Sequence, residues 1–201
     1  MSINVCNDRS MASITSLPSG VSGSSLVLLS TQTASSSATI DFTSDIDSTY
    51  KEYIFKWTSI HPATNQVDFS FQADTGTNTN YNQTITSTSF YAYQDESGSA
   101  TELSYDSSRD LAQSTSFQVL TGSTGNENDE TTSGFLHLFD PANTTFVKHF
   151  IASVNNYNHG DYTVNNRFAG YFNTTTALTR VRFKFSSGDI DAGTIKMYGV
   201  V

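Results

Sequence analysis

The chain has 201 residues and a formal net charge of −9, and only 14% of its residues are charged. So acidic a balance argues against nucleic-acid binding, because neutralising phosphates needs a basic surface. A single cysteine, Cys6, excludes an intrachain disulfide and a cysteine-based zinc site.

Ser and Thr make up 58 residues, and 14 Phe with 10 Tyr supply most of the large side chains. Hydroxyl, β-branched and aromatic groups suit a pleated, half-buried surface, and no run of Ala, Leu, Glu and Lys recurs at helical spacing. The expected fold is all-β, an antiparallel sandwich of jelly-roll type, over residues 34–201. Residues 1–33 are rich in Ser and Gly around one apolar cluster, Leu26, Val27, Leu28 and Leu29, and read as an extended arm. That cluster is too short to cross a bilayer, and residues 1–15 lack the charged start and long apolar centre of a signal peptide. The expectation is a soluble product made in the cytosol, without membrane insertion.

From Ser37 onward the strand signals become regular. Ile40 and Phe42 alternate with polar neighbours, and Tyr53, Phe55 and Trp57 share one face of a strand over 50–60. After a turn at His61 to Asn65, Val67, Phe69, Phe71 and Ala73 alternate cleanly, which predicts a hairpin with the preceding strand. A strand over 84–93 follows a Thr/Asn/Gly loop. Residues 94–116 are poorly patterned, with one short helical turn expected at 107–112. A strand at 117–120, an acidic loop at 122–132, and a hairpin of 134–140 with 146–154 about Pro141 come next. Residues 157–166 read as a loop and 168–172 as a short strand. The chain closes on Val181, Phe183 and Phe185 alternating with Arg180, Arg182 and Lys184, then on Ile195 and Met197, read as a final hairpin.

Chemistry-bearing residues are sparse. His137 and His149 fall in the two arms of one predicted hairpin and could face each other, but no carboxylate stands at fixed spacing to complete a metal site. His61 and His159 lie in loops without an assignable partner. Glu127, Asp129 and Glu130 could offer oxygen ligands to calcium, yet lack the spacing of the twelve-residue calcium loop. No nucleophile elbow or phosphate-binding Gly-rich loop is present, so neither a catalytic residue nor a cofactor is expected. The sequons at Asn82, Asn143 and Asn173 are read as chance matches in an Asn/Thr-rich chain.

Two surface features carry more information. Arg180, Arg182, Lys184 and Lys196 hold four of the ten basic residues, a stripe suited to meeting the acidic loops of a neighbouring copy. Tyr157, His159, Asp161 and Tyr162 cluster in an Asn/Gly-rich stretch, and Tyr81, Tyr91, Tyr93 and Tyr171 also lie in or beside such loops; exposed Tyr with Asn and Asp either packs its own loops or offers flat apolar faces and hydrogen bonds to a sugar or a protein.

Four segments extend the reading. Leu17 to Gly20 with Leu28 to Ser36, Asp47 to Phe55 with Ile60 to Ala63, Thr145 to Phe150, and Asp191 to Val200 together resemble a family of virion structural proteins of marine tailed bacteriophages. The resemblance runs from about Ser16 to near the last residue and leaves the first dozen residues outside it. It implies a non-enzymatic particle component located in the virion. The expectation is an outer capsid decoration or appendage subunit, anchored through residues 1–33. Its partners would be other virion proteins and further copies of itself, a trimer being preferred. The alternative is a receptor-binding or carbohydrate-binding jelly roll gripping a host surface glycan, and a polysaccharide-degrading enzyme ranks third.

Overall fold

The computed structural model describes residues 25–201, and these contain twelve strands and no helix. The strands are β1 (Leu26–Thr33), β2 (Ile40–Phe42), β3 (Glu52–Pro62), β4 (Phe69–Asp74), β5 (Ile85–Asp95) and β6 (Thr101–Tyr105). They continue as β7 (Gln118–Val119), β8 (Thr132–Phe139), β9 (Lys148–Asn158), β10 (Tyr162–Phe172), β11 (Arg180–Phe185) and β12 (Ile190–Val200). All pairings are antiparallel and make two packed sheets, one ordered β1-β12-β3-β8-β9-β10-β5-β6 and the other β2-β11-β4-β7. The β-sandwich expected from composition is therefore the fold.

The strand order explains its shape. Setting aside the β5–β6 and β9–β10 hairpins leaves eight strands in two four-stranded sheets. Their orders are first-eighth-third-sixth and second-seventh-fourth-fifth, the jelly-roll arrangement. The two hairpins then widen only one sheet, adding β9, β10, β5 and β6 beyond β8. The large sheet consequently overhangs the small one.

Jelly-roll connectivity also corrects the local pairings inferred from alternation. The 50–60 and 67–73 strands belong to opposite sheets, as do β11 and β12, so neither pair forms a hairpin. The 134–140 and 146–154 pair does, as β8 with β9. Part of the arm expected over 1–33 is an edge strand, since β1 pairs with β12 from Leu26 to Thr33; residues 1–24 lie outside the described residues. The turn expected at 107–112 is present as a single hydrogen-bonded turn over 107–109, with the Arg109 and Asp110 amides donating to the Asp106 carbonyl at 3.4 and 3.3 Å, and it does not extend into a helix. The 157–166 loop is instead the tight end of a long hairpin in which β9 and β10 pair from Tyr162–Asn158 to Phe172–Lys148. Asp161 turns this corner at φ 63°, a conformation Asp tolerates better than most residues.

The core lies between the sheets and is dominated by aromatic rings. Phe183 of β11 has ring neighbours on both sheets: Phe42, Phe55, Trp57, Phe69 and Phe71, with centroids 5.7–6.3 Å away. Its alternation partners Val181 and Phe185 are buried with it. Edge-on and tilted contacts of this kind suit ring quadrupoles and add to the burial of large apolar area.

Under the overhang the inner face changes character. Ser87, Ser89, Asn156 and Asn166 are buried there in place of Phe and Leu. What covers them is irregular chain, whose backbone groups need hydrogen-bond partners once shielded from water. The Ser87 hydroxyl donates to Gln118 Oε1 at 2.6 Å and accepts the Leu111 amide at 3.0 Å, while Gln118 Nε2 donates to the Arg109 carbonyl at 2.9 Å. Asn156 Nδ2 and Asn158 Nδ2 both donate to the Gly122 carbonyl, at 3.1 and 3.0 Å. Loops 106–117 and 120–131 thus lie on a polar bed.

Replacing Phe183 with Ala removes a ring touching both sheets and leaves a cavity, an expected loss of about 3–5 kcal/mol in denaturant unfolding. A second expectation concerns acid. Hydrogen bonds from Thr49 to Asp47, from Ser97 to Asp95, and from Asn143 to Asp140 hold these turn carboxyls below their usual range. Depressed folded-state values contribute stability above the unfolded carboxyl range, about pH 4, and lose it as pH falls. The thermal midpoint should be flat from neutral pH to about pH 5 and fall below about pH 4.

Candidate functional site

The overhang creates a polar-aromatic concavity. It is a cavity of about 320 Å³ between the inner face of β5 and β10 and the covering loops, lined by Tyr91, Tyr93, Tyr162, Asp106, Arg109 and Asn158 among others. Tyr91 and Tyr93 alternate onto the same face of β5, with rings 6.1 Å apart and inclined by only 16°. Tyr162, at the start of β10, stands edge-on to Tyr93 at 5.3 Å. Three rings therefore form one wall.

The opposite wall is a turn built by Asp106. Its Oδ1 accepts the Ser108 amide at 3.0 Å and the Ser108 hydroxyl at 2.6 Å, and its Oδ2 accepts Arg109 Nη1 at 2.5 Å. Asp106 is buried and Arg109 remains a quarter exposed. The guanidinium lies flat against Gly122, where a Cβ would come within 1.8 Å of Nη2, so only glycine leaves it this place. Among the described residues Arg109 Nε and Nη2 have no hydrogen-bond partner, and Arg109 lines the cavity. Burial and the nearby Glu102 carboxylate push the Tyr91 phenol up, so it stays protonated at neutral pH.

The residues singled out in the sequence are distributed differently from expectation. Tyr162 lines the cavity, whereas Tyr157 lies on the other face of the sheet, donating to Glu96 Oε1 at 3.0 Å and Asp161 Oδ1 at 3.2 Å. Those two carboxylates raise the Tyr157 phenol far above its ordinary value. The His159 side chain is exposed, its backbone amide donating to the Ser123 carbonyl. The proposed quartet is thus split between two faces. Tyr91 and Tyr93, noted in the sequence among the tyrosines beside polar loops, and Arg109, which sequence reasoning left out of any site, supply most of the cavity.

The basic stripe is also divided. Arg182 is held in a two-pronged pair with Asp41 at 2.7 and 2.6 Å and lies over the Tyr81 ring at 4.0 Å. Lys184 lies over Phe117 at 4.5 Å, and Arg180 donates to the Asn78 carbonyl at 3.3 Å. These three are on the small sheet and engaged within the chain, while Lys196 is on the outer face of the large one. His137 stands opposite Ile151 in register rather than His149, and contacts Glu52; His149 packs beside Tyr171. His61 bonds the Glu127 carbonyl at 3.0 Å. The Glu130 carboxylate folds back onto its own loop, accepting the Glu127 amide at 2.7 Å, and no group of three or more metal-ligating side chains occurs among the described residues.

The two outer faces differ sharply. The outer face of β4 is covered by the chain itself: Ser70, Gln72 and Asp74 are all buried, and Gln72 Nε2 reaches the carbonyls of Gln83, Thr115 and Ser116. Among the described residues the large sheet has no such cover. Leu28, Ile151, Phe90, Leu103 and Tyr105 project from it with 47–76% of their surface exposed, and Leu26 adjoins them at 38%. The row Leu28, Tyr198, Ile54, His137, Ile151 and Ala169 runs in register across six strands. Of the apolar cluster at 26–29, Leu26 and Leu28 belong to this face, while Val27 and Leu29 are half-buried, Leu29 against the core.

Substituting Asp106 with Ala strips three hydrogen bonds from one turn and frees Arg109. A loss of about 1–3 kcal/mol in urea unfolding is expected, with faster amide exchange confined to 106–113.

Comparison with protein-family models, with curated proteins and with solved structures returns no match for this chain.

Proposed function

We propose that the chain is a non-enzymatic structural subunit of a bacteriophage virion, a decoration or appendage protein that associates with further copies of itself. The supporting observation is the contrast between the outer faces, one covered by the chain's own loops and the other open, with Leu28, Ile151, Phe90, Leu103 and Tyr105 exposed on it. Soluble monomers seldom leave a broad apolar face to water, because covering it is favourable by roughly 25 cal/mol per Å². Sequence resemblance to virion structural proteins supplies the setting.

The occupant of the face is a second copy of this chain, and charge is the reason. Lys196 and Lys56 stand directly opposite each other on the exposed face, where like charges in register are unfavourable. A chain of net charge −9 offers such a pair a complementary acidic surface. Residues 1–33 enter this arrangement through β1, whose Leu28 is on the same face, and a closed trimer remains the preferred symmetry.

Light scattering of the full chain should give a multiple of 21.9 kDa, three-fold in the preferred case. Ile151→Lys combined with Leu28→Lys, both exposed and therefore compatible with folding, should return it to a single-chain mass. A wild-type chain that stays monomeric at millimolar concentration would sink the self-association.

A further inference from the structure

We infer that the cavity beneath the overhanging end of the large sheet is a binding site for a neutral hexopyranose unit of a polysaccharide. Its volume of about 320 Å³ is at the small end of ligand pockets, ~300–1,000 Å³, and suits one or two sugar rings rather than a long segment. Its chemistry is that of a sugar, which has an apolar C–H face ringed by hydroxyls. Tyr91, Tyr93 and Tyr162 provide ring surface that is only partly buried and is not spent on the core.

The opposing wall provides directional groups. Arg109 Nε and Nη2 are donors without a partner among the described residues, and the guanidinium is placed by Asp106 on one side and by the missing Cβ of Gly122 on the other. A further donor points to incomplete use of this region: Asn166 is 1% exposed and its Nδ2 has no partner. It follows Val164, a lining residue, by two positions on the same face of β10 and stands opposite Tyr91 in register. Buried amide donors are ordinarily paired, and since Asn166 does not itself line the cavity, its partner would be a water carried in from there.

Neutrality follows from the charges. Asp106 and Arg109 are the charged groups lining the cavity, and they are paired with each other, so an anionic sugar would meet no net positive charge there and a strongly negative protein around it. This site is on the inner side of the sheet, away from Leu28, Ile151 and Phe90, and stands or falls independently of self-association.

The test uses the full-length protein with methyl glycosides of glucose, galactose and mannose and one hexuronic acid. Saturation-transfer and chemical-shift titrations should detect millimolar binding of at least one neutral glycoside, with shifts confined to Tyr91, Tyr93, Arg109 and Tyr162. Tyr93→Ala and Arg109→Gln should each weaken binding about tenfold or more, while Tyr157→Ala on the opposite face leaves it unchanged. Should Tyr93→Ala fail to fold, Arg109→Gln and the wild-type shift map carry the test. Absence of binding by all three neutral glycosides, binding of the uronic acid alone, or an equal loss in Tyr157→Ala would each overturn the proposal.

Discussion

The mismatch in width between the two sheets governs this molecule. A sheet of eight strands cannot be covered by one of four, and each uncovered inner face must either be roofed or be left to solvent. The chain roofs part of the overhang with irregular loops, and that choice dictates the residues beneath. Phe71, Phe150 and Phe172 pack together where β9 and β10 still have the small sheet opposite them. Farther out, Ser87 and Asn156 take over, because a roof of loops brings carbonyl and amide groups that apolar side chains would leave unpaired. The change from Phe to Ser and Asn along the inner face is the chemical record of what lies above it.

How much of this was legible in the sequence depended on whether a feature is local. Alternation of Val181, Phe183 and Phe185 with Arg180, Arg182 and Lys184 specifies a strand and its two faces, and the structure buries the first three. Pairing partners were not legible wherever the chain crosses between sheets, since a turn after Phe185 looks the same whether the next strand returns alongside or passes to the other layer. The β8–β9 turn could be read correctly because the two strands do pair. Tyr157 to Asn166 resembled a loop because Asn and Gly dominate its composition; burial of Asn156 and Asn166 by hydrogen bonding and tight packing overrides that preference.

Candidate site residues followed the same rule. Tyr157 and Tyr162 are near in sequence, yet the hairpin between them places one on each face, with Tyr157 turned toward Glu96 and Tyr162 toward Tyr93. Arg109 was invisible because its position depends on Asp106 three residues earlier and on Gly122 thirteen residues later, a contact no spacing rule encodes. The basic stripe failed for the opposite reason. Its alternation was real, but Asp41, Tyr81 and Phe117 come from distant segments to absorb Arg182 and Lys184.

The two hairpins that widen the sheet have opposite consequences on its two sides. Inward, they extend past the small sheet and leave room for a cavity walled by Tyr93 and Tyr162. Outward, they lengthen the open face, with Leu28 exposed at one edge and Leu103 at the other, well beyond what β1, β12, β3 and β8 would present alone. A jelly roll without them would have sheets of equal width, no overhang and a narrower outer face. If the outer face is where copies meet, the cavity stays open in the assembly because the sheet itself separates the two. The two hairpins together would then provide both an attachment surface and a recognition surface, without either competing for the same residues.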